Sequence, residues 1–207
     1  MTDSRELLTL SPVMPVVVVD DAEQAAPLAR ALLRGGIRVV EVTLRTPAAL
    51  AAIERVAAEV PDVVVGAGTV TTPEQAEQAA KAGASFLVTP GSTDRLLDAV
   101  QQTGLPFLPG VSTVSEAMRV AERGIEVMKF FPAEAAGGVP YLKSVSGPLP
   151  QLRFCPTGGI TAASAPGYLA LPNVGCVGGS WLTPRDALAS GDWDRIESLA
   201  REAAALR

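Results

Sequence analysis

Histidine is absent from this 207-residue chain. That removes Ser-His-Asp triads, histidine general bases and the commoner zinc sites together, and leaves carboxylates, lysine or water for acid–base chemistry. No metal and no cofactor are expected. Cysteine is scarce: Cys155 and Cys176 fall in apolar, strand-like segments, too few for a disulfide framework and placed as small core hydrophobes. Aromatics make up 4% of residues, the net charge is −5 and basic clusters are missing, so there is no electrostatic footprint for nucleic acid. No apolar run approaches the roughly 18 residues that span a bilayer, and Met1-Thr2-Asp3-Ser4-Arg5-Glu6 lacks the basic and apolar regions of a signal peptide. No membrane partner is expected, and the expected location is the cytoplasm.

Lysine is also used sparingly, with three residues against fourteen arginines. Lys81 sits near the end of a helical segment before Gly83, where a cation suits the helix dipole, and Lys143 lies on a short mixed segment. Both read as surface groups. Lys129 is different: it stands inside Val127-Met128-Lys129-Phe130-Phe131-Pro132, an apolar run of strand length. An ammonium group is costly to take out of water, and a neutral amine is the form that attacks a carbonyl. A strand-end lysine that snorkels to solvent is the plainer alternative.

Hydrophobic residues are 48% of the chain, enough for a full core in one domain over 1–207. Short β-branched runs alternate with alanine-rich helical stretches every 20 to 25 residues or so, the pattern of βα units around a parallel sheet. Eight strand candidates follow: Met14–Val19, Ile37–Thr43, Val63–Ala67, Phe86–Thr89, Pro106–Pro109, Glu126–Phe130, Arg153–Pro156 and Val174–Val177. Helix starts are marked by Thr72-Pro73-Glu74 and Ser112-Thr113-Val114-Ser115-Glu116, and helix stops by Gly35-Gly36, Gly83, Gly104 and Gly124. A last helix is expected over about Trp193–Ala204. Eight units in so short a chain favour an α/β fold of the (β/α)8 TIM-barrel type, single-domain and with a short N-terminal helix, over a doubly wound sheet.

In such a barrel the strand C-termini share one face, and active sites are built there. Strand side chains alternate, so Glu41, Thr43 and Arg45 fall on one side of strand two, and Lys129 shares a side with Val127 and Phe131 on strand six. With no histidine available, Glu41 is the best candidate to move protons beside a carbonyl-attacking lysine, although a purely structural ion pair is the competing reading. Strands three to five end in Gly66-Ala67-Gly68-Thr69, Thr89-Pro90-Gly91 and Pro109-Gly110-Val111-Ser112, all small and exposing backbone. Strand seven ends in Thr157-Gly158-Gly159 and strand eight in Gly178-Gly179-Ser180, a glycine pair with a hydroxyl at each of the two strand ends where this fold recurrently binds phosphate.

These residues resemble the 2-keto-3-deoxy-6-phosphogluconate (KDPG) aldolase family of class I pyruvate aldolases. The resemblance runs through Val39-Val40-Glu41-Val42-Thr43-Leu44-Arg45-Thr46, Val65-Gly66-Ala67-Gly68-Thr69-Val70, Lys129-Phe130-Phe131-Pro132-Ala133-Glu134, Arg153-Phe154-Cys155-Pro156-Thr157-Gly158-Gly159-Ile160 and Gly178-Gly179-Ser180-Trp181-Leu182, nearly the whole chain. It implies retro-aldol cleavage of 2-keto-3-deoxy-6-phosphogluconate to pyruvate and glyceraldehyde 3-phosphate, as in the Entner–Doudoroff pathway, without metal. By the same resemblance Lys129 matches the imine-forming lysine and Glu41 the general acid/base. Arg45 and Thr69 match the carboxylate end, with Pro90 and Phe131 also on the substrate. Thr157, Gly158, Gly159, Gly179 and Ser180 match the distal hydroxyl and phosphate region, and a homotrimer is implied. Two alternatives stay open: an aldolase for the C4 epimer or for 4-hydroxy-2-oxoglutarate, and a non-catalytic barrel that binds phosphorylated metabolites.

Overall fold

The computed structural model describes residues 3–206. Its strands are β1 (Val13–Val17), β2 (Val39–Thr43), β3 (Val64–Gly68), β4 (Leu87–Val88), β5 (Phe107–Leu108), β6 (Gly110–Val111), β7 (Val127–Phe130), β8 (Arg153–Pro156) and β9 (Val177–Gly179). All pairings between them are parallel, in a six-stranded sheet of order β5-β4-β3-β2-β1-β9 and a three-stranded sheet of order β6-β7-β8. Parallel strands need crossovers, and helices supply them.

Of the expected ring of eight strands, the structure shows a parallel arrangement in two hydrogen-bonded sheets, one of six strands and one of three. The fifth expected strand is interrupted at Pro109, which has no N–H to donate: Phe107 and Leu108 pair with β4, and Gly110 and Val111 with β7. The eighth lies later than expected. Val174 and Gly178 make isolated bridges to Phe154 and Thr157, and the strand proper is Val177–Gly179, paired with Val13, Met14 and Pro15. Glycine's weak strand preference hid Gly178 and Gly179 from a reading based on β-branched residues.

Helix boundaries follow local chemistry. The helices Pro73–Lys81 (α4) and Val114–Ala121 (α6) start on capping boxes, Thr72 with Gln75 and Thr113 with Glu116. Ser112 and Thr113 backbone N–H groups donate to Glu116, at 2.8 and 2.9 Å. Gly36, Gly83, Gly104 and Gly124 take left-handed φ values of 70 to 90°, which is what the expected stops required. The last helix, Trp193–Ala204 (α10), packs on Ala25–Arg34 (α2), tied by Arg34 to Glu197 at 2.6 Å.

Two apolar clusters hold the molecule together. The larger lies between helices and sheets, and the smaller is lined by inward-facing strand positions, including Met14, Val39, Phe86, Val127, Cys155 and Cys176. Leu7 and Leu8 enter the smaller cluster from the short helix Ser4–Leu7 (α1) and its C-cap. Phe86 is fully buried there, and a Cβ on Gly66 would come within 2.4 Å of its ring, so Gly66 is the space Phe86 occupies. Truncating a buried phenylalanine of this kind costs about 3–5 kcal/mol.

Strand periodicity then sets the site. A step of two residues toward the strand C-termini leads from Val39 to Glu41, from Val127 to Lys129, from Cys155 to Thr157 and from Cys176 to Gly178. The polar layer therefore sits directly on an apolar floor.

Candidate active site

Lys129 and Glu41 are brought together across 88 residues of sequence, with Lys129 Nζ 3.2 Å from Glu41 Oε1. They are 3% and 1% exposed. Among the described ion pairs this is the one between two buried side chains; the others are at least partly open to solvent. Snorkelling to solvent, the plainer expectation for Lys129, is thereby excluded. Lys81 and Lys143 are exposed, as the sequence implied.

Glu41 is packed from the β3 side. A Cβ on Gly68 would fall 2.0 Å from Glu41 Oε1, so only glycine leaves room for the carboxylate at that register position. Lys129 faces the ring of Phe131, with Nζ 5.5 Å from the ring centroid, a cation–π distance. Thr43, expected on the same side as Glu41, is buried and donates to the Val17 carbonyl at 2.8 Å, which fixes β2 against β1.

Next to the pair lies a cavity of about 550 Å³, the volume of a small-molecule site. Phe131, Thr157, Gly158, Gly159, Ser180 and Arg45 line it, all of them expected from sequence. Lys129 and Glu41 are not in its wall, and Phe131 is the wall residue that also faces the pair, through Lys129. Arg45 Nε donates to Thr69 Oγ1 at 3.2 Å. Among the described residues Thr69 is the one non-glycine residue in the left-handed region, φ 56°, a costly conformation for a β-branched side chain and one that concentrates at functional sites. Pro90 and Gly179 do not reach the cavity wall. Pro90 instead lies against Gly110, whose Cβ would clash with the Pro90 carbonyl at 2.3 Å.

At the β8 and β9 ends, Gly158 and Gly159 have φ of 105 and 80° and are held by Ala133 N–H to the Thr157 carbonyl and Glu134 N–H to the Gly158 carbonyl, at 2.8 and 3.1 Å. Of the second glycine pair it is Gly178 that faces the cavity: its Cβ would lie 2.1 Å from Thr157 Oγ1. Gly179 faces Trp181 instead. Behind the loop, the Tyr168 hydroxyl donates to Glu134 at 2.9 Å. Burial first, then the hydrogen bond to Glu134 and its charge, push the Tyr168 phenol well above its ordinary range.

Sequence reasoning missed Val16, Val18, Thr183, Arg185 and Leu188 in the wall. Val16 and Val18 were legible in principle, as the positions that continue Met14 by steps of two. Thr183 and Arg185 follow the last strand, where no periodicity marks an inward side chain.

A parallel α/β scaffold that sets a buried, carboxylate-paired lysine beside a small-molecule cavity has the layout of an enzyme with a lysine nucleophile. A model of the family described as KDPG and KHG aldolase matches residues 5–199, and the chain belongs to that family. It is 53% identical over 204 residues to the 2-dehydro-3-deoxy-phosphogluconate aldolase of Dickeya dadantii, covering 99% of this chain and 96% of the relative. It is 54% identical over 202 residues to the KHG/KDPG aldolase of Escherichia coli K12, covering 98% and 95%. Its fold is similar to that of the KDPG aldolase from Legionella pneumophila, whose structure holds pyruvate captured as a covalent carbinolamine. The TM-score is 0.96 at 48% identity, with 98% of each chain covered.

Proposed function

We propose that this protein is a Schiff-base lyase that cleaves 2-keto-3-deoxy-6-phosphogluconate to pyruvate and glyceraldehyde 3-phosphate, with Lys129 as the nucleophile. One observation carries the reading: a buried amine has a carboxylate 3.2 Å away and faces the ring of Phe131, which lines a cavity whose wall also holds an arginine and the glycine-rich backbone of the β8 end.

Chemistry follows from that geometry. Glu41 is placed to take the proton the amine must lose before it attacks the C2 ketone. Attack gives a carbinolamine, and the proton held by Glu41 passes to its hydroxyl, which leaves as water to give the iminium and restores the Glu41 carboxylate. Glu41, directly or through a water, then accepts the proton of the C4 hydroxyl. The C3–C4 bond breaks, its electron pair moves into the iminium to form an enamine, and the aldehyde leaves. Protonation at C3 and hydrolysis of the imine return pyruvate and free Lys129. Arg45, braced by Thr69, holds the C1 carboxylate by charge-assisted hydrogen bonds, while Phe131 bounds the pyruvate end. Thr157 faces the distal hydroxyls, and Gly158, Gly159, Gly178 and Ser180 form the phosphate end, with Gly179 set behind them against Trp181.

The same reading includes a closed (β/α)8 barrel over a single domain of residues 1–207. Its support is that β5 and β6 are one run of chain broken at Pro109, and that Thr157 bridges to Gly178, which would close the ring. A cytoplasmic homotrimer belongs to it as well, supported by the family resemblance. Among the described residues no helix is long and apolar enough to cross a membrane.

Release of pyruvate, followed with a lactate dehydrogenase couple, tests the reaction and its specificity together. The expected order of kcat/KM places the gluconate-derived substrate above its C4 epimer and above 4-hydroxy-2-oxoglutarate. Thr157 offers a hydroxyl for one configuration at C4, an advantage of about 1 kcal/mol. Faster cleavage of the epimer would overturn the assignment of substrate.

A further inference from the structure

The residues that follow β9 carry chemistry that the reaction as described does not use. Thr183 lines the cavity, is only 6% exposed, and its side chain makes no hydrogen bond among the described residues. Arg185, two residues on, also lines the cavity, at its open rim. Eight of the described arginines are paired with a carboxylate, and Arg185 is not. Its neighbour Asp186 is committed elsewhere, to Arg195 at 2.6 Å. No carboxylate stands among the residues that line the cavity, although the chain carries a net charge of −5.

Among the described residues, a cavity-lining threonine whose hydroxyl has no hydrogen-bond partner and a guanidinium without a counter-ion, both on the β9 side of one cavity, call for an anion between them. The Ser180 hydroxyl, equally without a side-chain hydrogen bond, lines the same stretch of wall. We infer that Thr183 and Arg185 are specificity-determining residues of this enzyme: they complete the distal anion site and set its preference for a phosphate ester over an uncharged or singly charged chain end. The inference rests on the aldolase reading. A phosphate monoester carries about −1.5 to −2 charges at neutral pH and three acceptor oxygens, and neither the glycine backbone nor Ser180 brings it a positive charge. Arg185 supplies charge and a planar fork, and Thr183 a single donor.

The test is a selectivity ratio. kcat/KM is measured for the phosphorylated keto acid and for the same keto acid lacking its phosphate, in wild type, Arg185→Ala, Arg185→Lys and Thr183→Val. Because Arg185 is at the exposed rim, the expected loss is at the low end for a charged hydrogen bond: the ratio falls roughly tenfold in Arg185→Ala, through a higher KM for the phosphorylated substrate. Arg185→Lys recovers part of it, since the charge is kept and the fork is lost. Thr183→Val lowers the ratio by a few-fold, as expected for one neutral donor. Wild-type ratios in both Arg185→Ala and Thr183→Val would overturn the inference and leave the aldolase reading intact. Failure of wild type to cleave either substrate would overturn both.

Discussion

The two ends of the cavity are built on opposite terms. At the β2 and β7 side, Lys129 and Glu41 are buried, bonded to each other and enclosed by Gly68 and Phe131 before any substrate arrives. At the β8 and β9 side, Ser180, Thr183 and Arg185 hold side-chain donors with no protein partner among the described residues. The first end stores a proton acceptor at bonding distance from the amine, which matters when bonds are made and broken. The second keeps its donors open for an anion brought by the substrate. Covalent chemistry needs preset internal partners, and recognition needs absent ones.

The largest way to break this contrast is at the preset end. Lys129→Ala should reduce cleavage to background, a loss of roughly 10⁶-fold or more, while a phosphorylated product analogue still binds at the distal end. Lys129→Arg should fail as well, because guanidinium stays protonated and forms no imine. Single-turnover assays and calorimetric binding of the analogue separate the two effects. Glu41→Gln keeps size and removes the proton acceptor, so kcat should fall about 10² to 10⁴-fold, the range for general acid–base catalysis. Gly68→Ala sharpens the comparison while leaving both reacting side chains chemically unchanged. Its Cβ would meet Glu41 Oε1 at 2.0 Å, and displacing that carboxylate by an ångström should cost roughly 10²-fold in kcat, read by steady-state kinetics.

The smallest effect concerns the support behind the distal loop. Tyr168→Phe removes the hydroxyl that donates to Glu134 and should cost about 1 kcal/mol of stability by denaturant titration. The pH dependence has a definite sign. The folded protein holds the Tyr168 proton more tightly than the unfolded chain, so that contribution is present below the unfolded tyrosine value near 10 and is lost as the pH rises beyond it. In Tyr168→Phe the alkaline decline should be shallower.

The same contrast explains what the sequence disclosed. A lysine within Val127–Phe130 and a glutamate within Val39–Thr43 stand out because charge inside an apolar strand is costly, and parity alone put both on one side. The preset end was therefore legible. Strand ends were legible where β-branched residues ran to them. They failed at Pro109, where one strand became two pairing segments, and at Gly178–Gly179, where pairing depends on backbone and not on side-chain preference. Arg185 was invisible for another reason: an exposed arginine after a strand looks like any surface charge. Only the folded arrangement reveals that no carboxylate answers it.

The central claim is that Lys129 forms a covalent imine, and borohydride reduction in the presence of pyruvate addresses it most directly. The account predicts one reduced pyruvate added to the intact protein and mapped to the peptide carrying Lys129. No adduct on folded protein, or an adduct spread over the exposed Lys81 and Lys143, would contradict it.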